Sequence, residues 1–253
     1  MAGNPFLAMV ALRDMQAPTI EAVADRMQSL WPSEPLLSSI SRRGAVNTFQ
    51  FGPFAVALTY FPQPMPWQYL EGPCDCAWYW PDAAATLRAH PSHVLVHLLD
   101  QESRPVERAM ALTRLLAATA RASEPLGIFW GPGRLVHPAE PFIELALGMS
   151  PGELPLYLWI DFRVEAEENG SLRLFTTGLD PLSQLEIEVA GYRGDVGELR
   201  ANVYNVAHYM LEGKKPINHG QSLGSENGPR MIGEFGTSLI DLEQEVLHLK
   251  FEE

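Results

Sequence analysis

Lysine is nearly missing from this chain: three residues of 253, Lys214, Lys215 and Lys250, while all ten basic residues before position 150 are arginines. Lysine and arginine together number 18 against 31 aspartates and glutamates, a net charge of −13. That excess repels phosphate backbones and anionic lipid, so neither nucleic acid nor a membrane surface is expected as a partner. Cysteine is equally scarce. Cys74 and Cys76 cannot build a disulfide framework, which fits a reducing compartment. Long apolar runs are also lacking. The stretch Phe6–Leu12 follows no basic residue and is too short to span a bilayer or form a signal-peptide core, so a cytoplasmic location is expected. The pattern Gly-x-Ser-x-Gly occurs twice, around Ser150 and Ser222, but in stretches that read as a domain boundary and a long loop rather than as a strand-to-helix elbow, which leaves Ser/His/Asp hydrolysis without sequence support. Gly131-Pro-Gly133 lacks the lysine and third glycine of a phosphate loop, and its proline removes an amide, so it reads as a turn.

What is present suffices for a core: 46% of residues are hydrophobic. A chain this long exceeds the usual size of one core, so two domains are expected, 1–150 and 151–253. In the first, Phe6–Arg13 reads as a buried strand. Thr19 can cap a helix striped by Ile20, Val23, Met27 and Leu30, and Trp31-Pro32 ends it. Val46–Phe51 and Phe54–Phe61 form a hairpin about Gly52-Pro53. Residues 62–73, rich in proline, must be irregular. Asp82 can cap a short helix over Ala83–Ala89; a strand over His93–Leu99, a helix over Pro105–Ala122, a strand over Gly127–Trp130 and a helix over Pro141–Leu147 follow.

The stretch Met149–Pro155 has the composition of a boundary. Beyond it, alternation from Leu156 to Val164 predicts a strand, and Asn169-Gly170 turns the chain into a second over Ser171–Thr177. Gln184–Val189 predicts a third strand, Asp195–Leu211 an amphipathic helix ended by Gly213, residues 213–236 a long loop, and Val246–Phe251 a closing strand. The fold class expected is α+β: two domains, each a mainly antiparallel sheet with helices on one face. Charge divides unevenly between them. Residues 151–253 hold 18 carboxylates and 8 basic residues, a local net of −10.

Several constellations invite a chemical reading. Cys74, Cys76, His90, His93 and His97 suggest zinc, but on a strand His93 and His97 would stand roughly 13 Å apart, too far for one ion. His208 and Glu212 lie one helical turn apart without a third ligand, which suits a solvated helix end better than a metal or acid/base site. Asp161, Glu186 and Glu188 should project outward with Arg163 and Arg173, where cross-strand ion pairing accounts for them; converging in a cleft they could do acid/base chemistry. Tyr157, Trp159 and Phe175 share that expected face, and exposed aromatics usually mark an interface.

The run LPLYLWIDFRV, then LFTTGL, EIEV, a helix and the turn Asn218–Gly224, together with AWYWPDAAATLRAHPSHVLVHLLD earlier, resembles a bacterial family of unassigned biochemical activity over most of the chain. Some proteins of that kind stand beside toxins of the type VI secretion system, and the chain is similar to TsiT-like immunity proteins. The resemblance implies a cytoplasmic, non-enzymatic protein that neutralises a co-encoded toxin, a nuclease, by direct protein–protein contact. A nuclease presents a cationic cleft to its substrate, which an acidic partner can occlude or dock beside. The expected contact surface is Tyr157, Trp159, Asp161, Glu186 and Glu188, with no cofactor, metal or catalytic residue. A carboxylate-dependent hydrolase with an interdomain site and a self-associating scaffold are the rival expectations, and the oligomeric state stays open.

Overall fold

A computed structural model describes residues 6–99, 104–213, 215–224 and 229–252. Lys214 and residues 225–228, inside the expected long loop, lie outside them. The chain divides into two compact units, Met1–Leu158 and Trp159–Glu253. The fold is α+β, with two sheets in which antiparallel pairing dominates. Among the described residues, no helix is long and apolar enough to cross a membrane.

The first unit is built from β1 (Leu7–Leu12), α1 (Ile20–Leu30), β2 (Ser38–Arg43), β3 (Val46–Phe51), β4 (Phe54–Phe61), α2 (Glu71–Cys76), α3 (Ala83–Arg88), β5 (Ser92–Leu98), α4 (Pro105–Arg121), β6 (Pro125–Trp130), β7 (Leu135–Pro138) and α5 (Ala139–Leu147). Its seven strands run in the order β2-β3-β4-β5-β1-β6-β7, each neighbour antiparallel. Local chemistry sets the ends of these elements. Thr19 caps α1 by accepting from the Ala22 amide at 3.2 Å, and the two-residue Gly52-Pro53 turn works because Gly52 takes a positive φ of 54°. In α4 twelve of the 17 residues are buried, and its hydroxyls survive there by bonding back along the helix: Thr113 to the Ala109 carbonyl and Thr119 to that of Leu115, both at 2.7 Å.

Alternation along β1 splits the core between two faces. Ala8, Val10 and Leu12, all fully buried, lie on the face that meets α4, while Met9 and Ala11 on the other side join Phe129, Val136, Leu70, Cys74, Ala77, Ala83 and Leu87. The short helices α2 and α3 therefore cover part of the face opposite α4, and the proline-rich segment before them is pinned by histidines. His90 accepts from the Met65 amide at 2.8 Å through Nε2 while its Nδ1 faces the Leu87 carbonyl, and His93 bonds the Gln63 carbonyl at 2.9 Å and stacks on Phe61. These are the histidines that suggested a metal; among the described residues no group of three or more His, Cys, Asp or Glu side chains is placed to hold one. Cys74 is buried in α2, where desolvation raises its thiol to about 11.

One expectation fails near the boundary. The alternation from Leu156 predicted a strand, but Leu156–Trp159 is a single helical turn, α6, and the strand begins only at Asp161. Leu156, Leu158, Trp159 and Ile160 are all buried and Tyr157 is exposed, so Trp159 does not share the outward face that alternation assigns to it. The segment through Leu158 also stays with the first unit, where the Leu158 carbonyl meets His137 Nε2 at 3.2 Å.

The second unit comprises β8 (Asp161–Ala166), β9 (Leu172–Thr177), β10 (Ile187–Tyr192), α7 (Val196–Glu212), β11 (Gln221–Leu223), β12 (Met231–Thr237) and β13 (Glu245–Phe251), with sheet order β11-β12-β13-β10-β9-β8. Among the described residues only β10 and β13 pair in parallel. The α7 helix crosses the β8–β10 end; its N-terminus is capped by Asp195, which accepts from the amides of Gly197 (2.8 Å) and Glu198 (3.0 Å), and Gly213 ends it at φ 65°. The expected loop over 213–236 is corrected: it contains β11 and most of β12.

Candidate functional site

Glu186, immediately before β10, and Glu188 on it are two of the acidic residues singled out in the sequence, and the structure turns both of them inward. Glu186, 7% exposed, accepts four hydrogen bonds: from the Thr176 hydroxyl (2.7 Å) and from the amides of Gly178 (2.8 Å), Leu179 (2.8 Å) and Asp180 (3.0 Å). It thereby holds the β9–β10 connection, in which a β-carbon on Gly178 would collide with the Trp159 carbonyl. Burial pushes the Glu186 carboxyl above its ordinary range, and the four donated bonds pull against that shift.

Glu188, 4% exposed, faces the β12–β13 hairpin. One oxygen accepts from the Ser238 hydroxyl at 2.5 Å and the other from the Leu239 amide at 2.9 Å, with His248 Nδ1 3.8 Å away. Ser238 Oγ in turn accepts from the amides of Ile240 (3.0 Å) and Asp241 (2.9 Å), Asp241 Oδ1 accepts from the Glu243 amide (3.1 Å), and the Ser238 amide reaches the Gln244 carbonyl (2.9 Å). The backbone of residues 238–244 is thus fixed by a buried carboxylate at its base. Its side chains point the other way. Leu239, Ile240 and Leu242 are 65%, 52% and 81% exposed, three large apolar residues within four positions at a hairpin tip. Between Arg230 and Lys250 the sequence has four carboxylates, Glu234, Asp241, Glu243 and Glu245, and no lysine or arginine.

Residues 175–249 match the model of a domain of unknown function (DUF4261). The match runs from β9 into β13 and so contains Glu186, Glu188 and the hairpin tip at 238–244. No curated protein and no solved structure matches the chain.

A docking surface made of Tyr157, Trp159, Asp161, Glu186 and Glu188 is not what the structure presents. Trp159 is fully buried, and Asp161, 5% exposed, is engaged by Arg163 at 2.8 Å, while Glu186 and Glu188 spend their acceptors on backbone and hydroxyl donors. Tyr157 alone of the five is exposed, and it lies on α6 rather than on the sheet. Phe175 is half-buried with the Arg163 guanidinium 5.3 Å from its ring centre. Among the described residues the cross-strand ion pairing expected of Asp161, Glu186 and Glu188 is not formed; Arg173 instead bonds Glu165, directly opposite it on β8, through Nε at 2.9 Å. His208 and Glu212 stand 4.0 Å apart on α7, a single pair on one helical turn.

Sequence reasoning missed the hairpin tip. The signal was there in Ser238 and Asp241, whose short polar side chains bond amides two and three residues ahead, a turn chemistry that forces the apolar residues between them outward.

Proposed function

We propose that this chain is a binding protein of the immunity type that neutralises a cationic protein partner, a nuclease toxin, by docking the β12–β13 hairpin onto it. The observation that carries the reading is the tip itself: Leu239, Ile240 and Leu242 stand in water on a loop already locked in shape, within a stretch that bears only negative charge. Contiguous exposed apolar side chains mark interfaces, and a loop fixed before binding loses little entropy when it docks. The surrounding carboxylates favour a basic rim on the partner and speed encounter by steering. A nuclease toxin is the partner class suggested by the resemblance of the sequence, and a cytoplasmic setting belongs to the same proposal. Hydrolysis by paired carboxylates draws less support, because Glu186 and Glu188 are committed to holding loops. The groove of about 480 Å³ between α7 and β11 includes Asn202, Asn205, Tyr209, Gln221 and Ser222 in its lining, and among the described residues no carboxylate or histidine lines it.

The test is calorimetric titration with the toxin encoded beside the gene. Leu239→Ser, Ile240→Ser and Leu242→Ser together should weaken binding at least roughly 30-fold, the value of losing a central apolar anchor. Asp241→Lys with Glu243→Lys should slow association and flatten its salt dependence. Wild-type affinity in the triple variant, or no binding by the unaltered protein, would overturn the reading.

A further inference from the structure

The first unit contains a cleft of about 720 Å³, a volume in the range of small-molecule sites, whose walls are Leu7, Met65, Tyr69 and Phe129 with Gln68 and Arg134 as the polar contributors. The walls are preformed. Met65 is tethered through its amide to His90, Trp67 beside it lies under the Arg88 guanidinium at 3.7 Å, and Gly131 has no room for a side chain because a β-carbon there would run into the Leu7 carbonyl. A second observation concerns Arg134. It holds a left-handed backbone, φ 53°, a conformation that favours glycine and that arginine adopts at a cost, and it is exposed with no carboxylate partner among the described residues. In a chain with 31 carboxylates and 18 basic residues, an arginine kept strained and unpaired beside an apolar hollow calls for an anion from outside.

We propose that this cleft binds a small amphipathic carboxylate, an aliphatic or aromatic body seated against Met65, Tyr69 and Phe129 and its carboxylate held by the planar fork of Arg134. The site is independent of the hairpin and of any reading of the second unit.

Dodecanoate titrated calorimetrically into the full-length protein is the probe, with naphthoate as the aromatic arm and dodecanol as the neutral control. Saturable one-to-one binding of at least one carboxylate is expected, weakened by salt and at least tenfold tighter than dodecanol. Arg134→Gln should lose at least tenfold in carboxylate affinity with little effect on dodecanol, and Met65→Trp, which fills the hollow, should abolish both. Arg134→Gly adds a readout that a merely structural arginine would not give: relief of the positive φ should raise the melting temperature while carboxylate binding is lost. Absence of saturable binding to either carboxylate overturns the proposal, as does binding that survives unchanged in Arg134→Gln and Met65→Trp.

Discussion

Glu186→Ala is expected to destabilise the Trp159–Glu253 unit by about 4 kcal/mol, the largest effect of any single polar substitution in it. The glutamate is 7% exposed and is the acceptor for three consecutive amides and the Thr176 hydroxyl, and Thr176 Oγ1 itself accepts from the Ile187 amide at 2.7 Å. Alanine would leave those donors in a space too closed for easy hydration, and each buried donor without a partner costs roughly 1–3 kcal/mol. Glu186→Gln should cost far less, about 1 kcal/mol, because its amide oxygen can still serve the three backbone donors while only the hydroxyl bond is disturbed. Urea unfolding of both variants measures the difference; a loss below about 1 kcal/mol for alanine would show that the β9–β10 connection holds without its carboxylate anchor. The contrast with Glu188 is instructive, since there the anchored segment ends in an exposed tip. Glu188→Gln should therefore disturb binding by loosening residues 238–244 as well as lowering stability.

Much of the architecture could be read from the chain, and the parts that could not share a cause. Helices α1, α4 and α7 were legible because apolar residues recur at helical spacing over three or more turns and because Thr19, Asp195 and Gly213 mark their ends. Strand β2 was invisible: all six of its residues, Ser38–Arg43, are exposed at the sheet edge, so no apolar alternation exists to be found. In β12 the glycines that suggested a loop are packing devices, for a β-carbon on Gly236 would stand 3.1 Å from the His248 ring, and one on Gly233 3.2 Å from Leu247. The candidate site failed for a related reason. Alternation correctly put Glu188 on the face opposite Val189, but alternation says nothing about a distant segment folding over that face, and Ser238 and Leu239 arrive from fifty residues downstream. Local pattern gave the side of the sheet on which Glu188 lies; its partner depended on tertiary closure.

Acidification should weaken the Met1–Leu158 unit through His137. This side chain is 4% exposed on β7, stacked on Tyr79 and tilted against Phe142, each ring centre 5.7 Å away, and its Nε2 meets the Leu158 carbonyl at 3.2 Å. Burial lowers it from 6.5 to about 4, against a smaller upward pull from the Leu158 bond. Between those values the unfolded chain takes up a proton that the folded one refuses. The contribution is therefore constant above about pH 6.5, declines as pH falls through the window, and by pH 4 has removed about 3 kcal/mol of stability. His93 and His97, both lowered by desolvation, act in the same direction. Protonation of carboxylates overlaps the lower part of the range, so the decisive comparison is with His137→Gln, whose side-chain amide can still donate to the Leu158 carbonyl but does not titrate. Denaturant unfolding at pH 7, 5.5 and 4.5 should show the wild type losing stability more steeply than the variant, and parallel curves would mean that the imidazole can be charged in place. The charge would then need somewhere to go, and the rings of Tyr79 and Phe142 with one carbonyl offer it too little.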